Sequence, residues 1–547
     1  MAVDLCLVLL PCWGITDIPL TLSALSSRLR GHGVPLKVFD FNVELYHLLS
    51  QERPWWDISR GLDLWEQESF IDRFWKENLP VIETLIDDAL EPEPRWVGFS
   101  LFVSNRLLTE RFARRLKEKA PSAKIVFGGP EVGAIEDLQG YADRHPFIDH
   151  LVVGEGEETL PALLRGQETR RIVANMDGVR DLDSLPLQDF SDYDFALYKD
   201  VYAFPTYSSR GCPNACIYCT ERNFAGRFRI RSAERLFEDV QRQKTLRPDL
   251  NMFRLHESTS NGSVPQLERF CDLMAGASLG LRWAINGAIM RREMNDRICA
   301  KLARAGCRFI NYGLETPSHK VLAAVGKRLS AGTNFDRVVR STHDAGIEVA
   351  LNVMFGLPGE TEADFQEQLD FLRRNHRHIS TIAPSLWFCY FPKGSEGARH
   401  PGKHGIDLEM GPLYWRSPHG TNDYLVRMER FVRYTDLMQE LGVKSLFGFP
   451  ALPNRRELAA AYCHELVRRG HLSAEEARGR LGEMRLLDMK PARGENMLRS
   501  LLRKIIYAVA PAAVHNAVSE IARARLLERR LNKLLKERGA RQRYSDG

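Results

Sequence analysis

Two successive series of short apolar runs alternating with helical patterns constrain the fold of this chain more than any other feature. In the first, LCLVLL is followed by LTLSALSSRLRGHG and LKVFDFN, with Leu22, Leu25 and Leu29 at helical spacing and Gly31 and Gly33 as a stop. WVGFSLF, a helix over 106–119, KIVFGG and HLVVGEGE continue the alternation. Strand, helix, strand repeated in this way predicts an α/β domain with a doubly wound parallel sheet, over 1–180. An insert over 44–93, carrying Trp55, Trp56, Trp65 and Trp75, interrupts it and reads as helices covering an edge or a substrate entrance.

The second series opens at Thr206. Its strands YSSRG, MFRLHES, LRWAING, CRFINYGLE, EVALNVMFGLPG and SLWFCYFP alternate with helices, which predicts a partial (β/α)6 barrel over 206–403. The polar stretch 181–205 reads as a linker, and 404–547 as a mostly helical region ending in a basic helix near 518–538. A chain of 547 residues needs several such units.

Composition narrows the function classes. A net charge of +5 on 76 basic and 71 acidic side chains makes no case for a nucleic-acid partner. Mean hydropathy of −0.30, no apolar stretch of membrane-spanning length, and an opening MAVDLCLVLLPCWG that carries Asp4 but no basic leader predict a cytoplasmic protein without a membrane partner.

Three of the ten cysteines, Cys212, Cys216 and Cys219, form a CxxxCxxC triplet. Random scattering would yield roughly 0.003 such triplets, so the spacing demands a chemical reason. Three thiolates suit a four-iron cluster with one iron left open for a chelating ligand, and Tyr218 offers an aromatic face beside it. Zinc is the alternative, but it wants four ligands and no second CxxC or HxxxH is near. The remaining cysteines, such as Cys271, Cys299 and Cys389, sit on apolar stretches and read as buried free thiols.

GCPNACIYC resembles the signature of radical S-adenosylmethionine (radical SAM) enzymes. The resemblance covers about 206–392 and extends, in the family's order, to Arg229-Ile230-Arg231-Ser232, Gly313-Leu314-Glu315-Thr316 and Gly356-Leu357-Pro358-Gly359-Glu360-Thr361. It implies a 4Fe-4S cluster on the three cysteines. Its open iron binds S-adenosylmethionine, which one electron splits to methionine and a deoxyadenosyl radical, so an electron donor such as flavodoxin or ferredoxin is implied. Glu315 is then expected to accept from the cofactor's ribose or ammonium, with Gly313 leaving room. His256 and Glu257 match loosely the polar residues that hold the methionyl ammonium in relatives. Gly356 is expected beside the adenine, with Asn286 and Asn352 as further cofactor contacts at strand ends.

In doubly wound sheets ligands bind beyond the carboxyl ends of the strands. The loops Pro11–Asp17, Ser100–Asn105, 128–131 and 154–156 are placed there, either to bind a ligand or only to turn the chain. A sheet domain with such loops before a radical barrel resembles the cobalamin-binding domain of cobalamin-dependent radical SAM enzymes. That resemblance implies Ser100, Gly128, Gly129, Glu131, Gly154 and Gly156 around cobalamin. The Asp-x-His-x-x-Gly loop that gives cobalt a histidine in other cobalamin proteins is absent, and Trp13 is expected to shield the lower face instead. The function so implied is C-methylation of a small molecule or peptide. Two alternatives stand beside it, a cobalamin-binding radical oxidoreductase or cyclase and a nucleic-acid-binding protein with a structural metal.

Overall fold

The computed structural model describes residues 3–49, 56, 64–329, 332–418, 421–446 and 455–483. Within them the chain divides into a first unit of 3–179 with 185–205 and a second of 180–184 with 206–483.

The first unit holds six parallel strands, β1 (Leu5–Leu9), β2 (Leu36–Asp40), β3 (Trp96–Ser100), β4 (Lys124–Gly128), β5 (His150–Gly154) and β6 (Ile172–Asn175), in the order β2-β1-β3-β4-β5-β6. All five residues of β1 are buried, as a strand covered on both faces requires. The chain winds outward from β1 to β2 and then the other way from β3 to β6. Loops leaving the carboxyl ends of β1 and β3 therefore part company and leave a crevice. The sequence places a helix at 106–119, and it runs Arg106–Lys119.

The insert is helical, Glu68–Glu77 and Leu79–Leu90, and two of its tryptophans, Trp56 and Trp65, are core. Trp65 is fully buried edge-on to Phe70 and Phe74, and Trp56 packs on it. Glu83 accepts from Arg115 (2.7 Å) and pairs with Lys119 (2.7 Å), tying the insert to the helix Arg106–Lys119. Trp55 lies outside the described residues, as does the helix expected near 518–538.

The stretch expected as a linker is better packed than its polar composition suggests. Leu185, Phe190, Tyr193, Phe195 and Tyr198 are buried, and Tyr198 donates to Asp40 Oδ2 at 2.7 Å. Asp40 also caps the helix Phe41–Leu48 by accepting from Val43 N at 3.2 Å.

The second unit is built on a seven-stranded sheet in the order β15-β14-β13-β12-β11-β10-β7. Its strands are β7 (Ala203–Thr206), β10 (Met252–Leu255), β11 (Arg282–Ile289), β12 (Cys307–Glu315), β13 (Glu348–Val353), β14 (Thr381–Pro384) and β15 (Lys444–Ser445), with β10 to β15 all parallel. Three expectations need correction. YSSRG is not the first barrel strand, since β7 ends at Thr206. Its Ser209–Arg210 instead forms β8, a ribbon with β9 (Arg229–Ile230). SLWFCYFP is not the last strand either, because TIAP before it takes the ladder position beside β13. The aromatic run turns instead, with Phe388 in the left-handed region (φ 57°) and buried against Tyr424 and Phe431. Finally, the unit does not end near 403. The helix Tyr424–Glu440 packs Phe431 on Phe355 and pairs Arg430 with the buried Glu360 at 2.7 Å.

Burial pushes the Asp40 carboxyl up from 3.8 to about 7, against the opposing hydrogen bonds from Tyr198 and Val43. An acid whose pKa is raised on folding contributes stability fully below its unfolded pKa and loses it as pH rises through the folded value. Wild-type protein should therefore lose thermal stability relative to Asp40→Asn as pH rises from about 4 to 7. Parallel melting curves of the two proteins across that range would contradict the burial argument.

Candidate functional site

The cysteine loop follows β8. Gly211, at φ 75°, lets the chain pass Arg227, whose carbonyl oxygen would stand 2.9 Å from an added Cβ. The loop is stitched to a segment a hundred residues away. Ile217 N donates to Val325 O (3.0 Å), Arg328 N donates to Asn214 Oδ1 (3.0 Å), and a Cβ on Gly326 would lie 2.6 Å from Ala215 O. Thr259 Oγ1 donates to Cys212 Sγ (3.2 Å) and Glu221 N to Cys219 Sγ (3.4 Å).

Burial pushes the bare Cys216 thiol up to about 12 and raises Cys219 too. Cys216 and Cys219 act on each other electrostatically, and Cys219 also feels Cys212 and Glu315. Two thiols, Cys216 and Cys219, that burial holds against ionisation fit a site completed by a cation, because a bound metal stabilises thiolates. Tyr218 is half-buried with one side on the core cluster of Ile217, Cys389 and Phe391.

Lys327, which sequence reasoning passed over, organises the opposite wall. Its Nζ donates to Glu315 Oε1 (2.8 Å) and Gly313 O (2.6 Å), with Lys327 7% and Glu315 14% exposed. Glu315 takes φ 61°, unusual for a side chain, and its carbonyl accepts from Met354 N (2.9 Å). A side chain on Gly313 would meet Glu315 Oε1 at 2.8 Å and Lys327 Nζ at 3.0 Å, so that glycine makes room for the ion pair. The only sequence trace of Lys327 was a Gly-Lys pair after a helical run, a weak signal.

Glu257 accepts from Ser208 N (3.1 Å) and, by a very short bond, from Ser208 Oγ. Burial raises its pKa. His256 and Asn286 meet, Nδ2 to Nε2 at 3.4 Å, on the exposed side of β10 and β11. Asn352, half-buried on β13, stands opposite Gly313 in register. Gly356 is required by the protein's own packing. Its φ is 67°, and an added Cβ would lie 2.3 Å from Arg427 Cγ and 2.9 Å from Asn422 Oδ1, so the space it frees is filled by the protein itself.

In the first unit the expected ligand residues gather at the carboxyl ends of β1, β3, β4 and β5. Trp13, whose backbone N–H donates to Asn42 Oδ1 (3.0 Å), packs tilted on Phe102 with ring centroids 4.1 Å apart across the β1/β3 crevice, and both residues are half-buried. The two adjacent glycines differ. Gly129 (φ 98°) lies where a Cβ would sit 2.6 Å from Leu101 O and 3.1 Å from Ser100 Oγ, so backbone contact demands it. At Gly128 a Cβ would meet only Val152, at an ordinary contact distance of 3.9 Å. Gly154 (φ 90°) is pinned by Asn175 O, 2.3 Å from an added Cβ, while Gly156 faces Leu25 at ordinary contact distance. Glu131 is held by Arg106 at 3.2 Å. The half-buried Trp13 and Phe102 rings beside these loops fit a large ligand laid across this edge.

Residues 206–372 match the radical SAM superfamily and residues 67–164 the B12 binding domain. The second match begins inside the insert and does not reach Trp13. The chain is 24% identical over 314 residues to bacteriochlorophyllide d C-12(1)-methyltransferase of Chlorobaculum tepidum, covering 54% of this chain and 66% of the relative. It is 24% identical over 311 residues to the anaerobic magnesium-protoporphyrin IX monomethyl ester cyclase of Cereibacter sphaeroides, covering 52% and 50%. The chain thus spans between half and two thirds of the length of these curated relatives. The structure of the radical S-adenosylmethionine methyltransferase TsrM from Kitasatospora setae superposes with a TM-score of 0.55 at 16% identity, over 89% of this chain and 99% of TsrM. That likeness is one of fold.

A radical barrel with its cysteine loop and a B12 domain in one chain define a class. The chain carries a radical SAM domain and a B12 binding domain, a pairing that supports a cobalamin-dependent radical SAM enzyme with a 4Fe-4S cluster, S-adenosylmethionine and cobalamin as cofactors. Among the described residues no helix is long and apolar enough to cross a membrane.

Replacing Cys212, Cys216 and Cys219 together by Ala should abolish the visible absorbance of the anaerobically reconstituted protein and its formation of deoxyadenosine. Cluster absorbance that survives the triple change would place the iron elsewhere.

Proposed function

We propose that this chain is a C-methyltransferase acting on a small molecule or peptide, working in the cytoplasm with a flavodoxin- or ferredoxin-type electron donor. The observation that carries the reading is the pair of sites in one chain: a cysteine loop tied to the segment whose Lys327 pins Glu315, and the Trp13–Phe102 pair at the β1/β3 crevice. When bound, S-adenosylmethionine on the cluster supplies a hydrogen-abstracting radical, and cobalamin supplies a transferable methyl group.

The chain's own residues bind, orient and shield. Cys212, Cys216 and Cys219 hold the iron. Lys327 spends its charge on Glu315 Oε1, fixing that carboxylate while Oε2 remains to accept from a ribose hydroxyl or ammonium. His256, Glu257, Asn286 and Asn352 supply further polar contacts toward S-adenosylmethionine. Trp13 has no lone pair to give a metal. Together with Phe102 it would exclude water from the lower corrin face, while Ser100 and Gly128 border the nucleotide tail.

Gly128→Ala should leave the melting temperature of the cobalamin-free protein nearly unchanged, since an added Cβ makes only ordinary contact with Val152, yet weaken cobalamin retention through gel filtration. Retention equal to wild type would remove the tail from this edge.

The cyclase relative favours a second reading, without methyl transfer. Reconstituted enzyme given reductant, S-adenosylmethionine and candidate substrates of both classes separates the two. Methyl transfer yields S-adenosylhomocysteine and deoxyadenosine in comparable amounts, with a product heavier by one methylene. Deoxyadenosine without S-adenosylhomocysteine, together with a product lacking that gain, assigns the cyclase or oxidoreductase reading.

A further inference from the structure

We infer that the second unit carries a separate surface site for a late divalent transition-metal ion of the zinc type, formed by His343, Asp344 and His378. One ligand atom from each of these three residues lies within 4.8 Å of the others. The two imidazoles stand nearly perpendicular, ring centroids 5.1 Å apart, and His343 Nδ1 contacts Asp344 Oδ1 at 3.1 Å. His378 Nδ1 is shielded from solvent and has no hydrogen-bond partner. An imidazole nitrogen held dry and unpartnered is costly unless something occupies it. A cation between the rings would satisfy it.

Two imidazoles and a carboxylate are an ordinary donor set for zinc, with water in the fourth place. Bonds of about 2.0–2.1 Å in a tetrahedron put ligand atoms roughly 3.4 Å apart. His343 and Asp344 are exposed and free to turn, so small side-chain rotations close the remaining gap. His343 and Asp344 also end the helix Phe335–Asp344, where the outward-facing carbonyls favour positive charge. The nearby Arg374 is engaged by Asp336, at the other end of that helix, rather than turned on the site.

The location argues against a role in the radical chemistry. The helix Phe335–Asp344 leads into β13 and the turn His376–His378 leads into β14, so the cluster sits where two paired strands begin. Glu315 lies at the opposite, carboxyl end of the sheet. In barrels of this kind the amino-terminal face serves stability rather than catalysis. A metal bound there would clip two adjacent connections together.

The test uses untagged full-length protein with its cluster reconstituted anaerobically, freed of loose metal by a chelator and titrated with Zn2+ against a chromophoric competitor. One Zn2+ per chain should bind beyond the iron and raise the melting temperature. His343→Ala and the double variant His343→Ala/His378→Ala should bind at least tenfold more weakly and lose the thermal shift, with iron and sulfide content unchanged. The single change is at an exposed position and keeps the comparison valid if the double variant folds poorly. Equal Zn2+ affinity in wild type and His343→Ala, or zinc uptake only with matching loss of iron, would overturn the assignment.

Discussion

The ion pair between Lys327 and Glu315 is the interaction on which the arrangement of the second unit's site depends. Both groups are nearly buried, and removing either partner would strand the other's charge at a cost of about 3–5 kcal/mol. Its geometry needs a glycine at 313, a left-handed Glu315, and a segment 325–328 pinned to the cysteine loop by backbone hydrogen bonds. One cation thus links the end of β12 to the loop that carries Cys216. It orients a carboxylate near the Cys216 thiol, which burial pushes up to about 12.

The first unit solves a different problem, that of leaving room for a large ligand without leaving a hole. Its strand order reverses between β1 and β3, so the loops after them diverge. Trp13 and Phe102 line the gap with a tilted, half-buried pair. Gly129 and Gly154 are required by the protein's own backbone, whereas at Gly128 an added Cβ would make only ordinary contact with Val152. A pair of adjacent glycines therefore divides into one that the turn demands and one that packing alone does not.

Much of this was legible in the chain. Apolar periodicity located four strands of the second unit's seven-stranded sheet, β10 to β13, and the helix Arg106–Lys119, because burial on a parallel sheet writes itself locally as an unbroken apolar run. It failed where propensity and pairing diverge. The run SLWFCYFP is richer in strand-favouring aromatics than TIAP, yet TIAP finds β13 beside it and the aromatic run does not. The two-residue β15 carries too little pattern to be seen at all.

By itself the sequence determined the two alternating series, the cysteine triplet and the order of its accompanying motifs, since periodicity and covalent spacing need no knowledge of the rest of the chain. Only the tertiary structure decided what each motif residue faces. Lys327 reaches Glu315, Arg427 fills the space Gly356 leaves, Asp40 receives Tyr198 from 158 positions away, and His378 meets His343. Each of these depends on strand register and helix packing. Those are set by the summed burial of many side chains, so no local stretch of sequence encodes them.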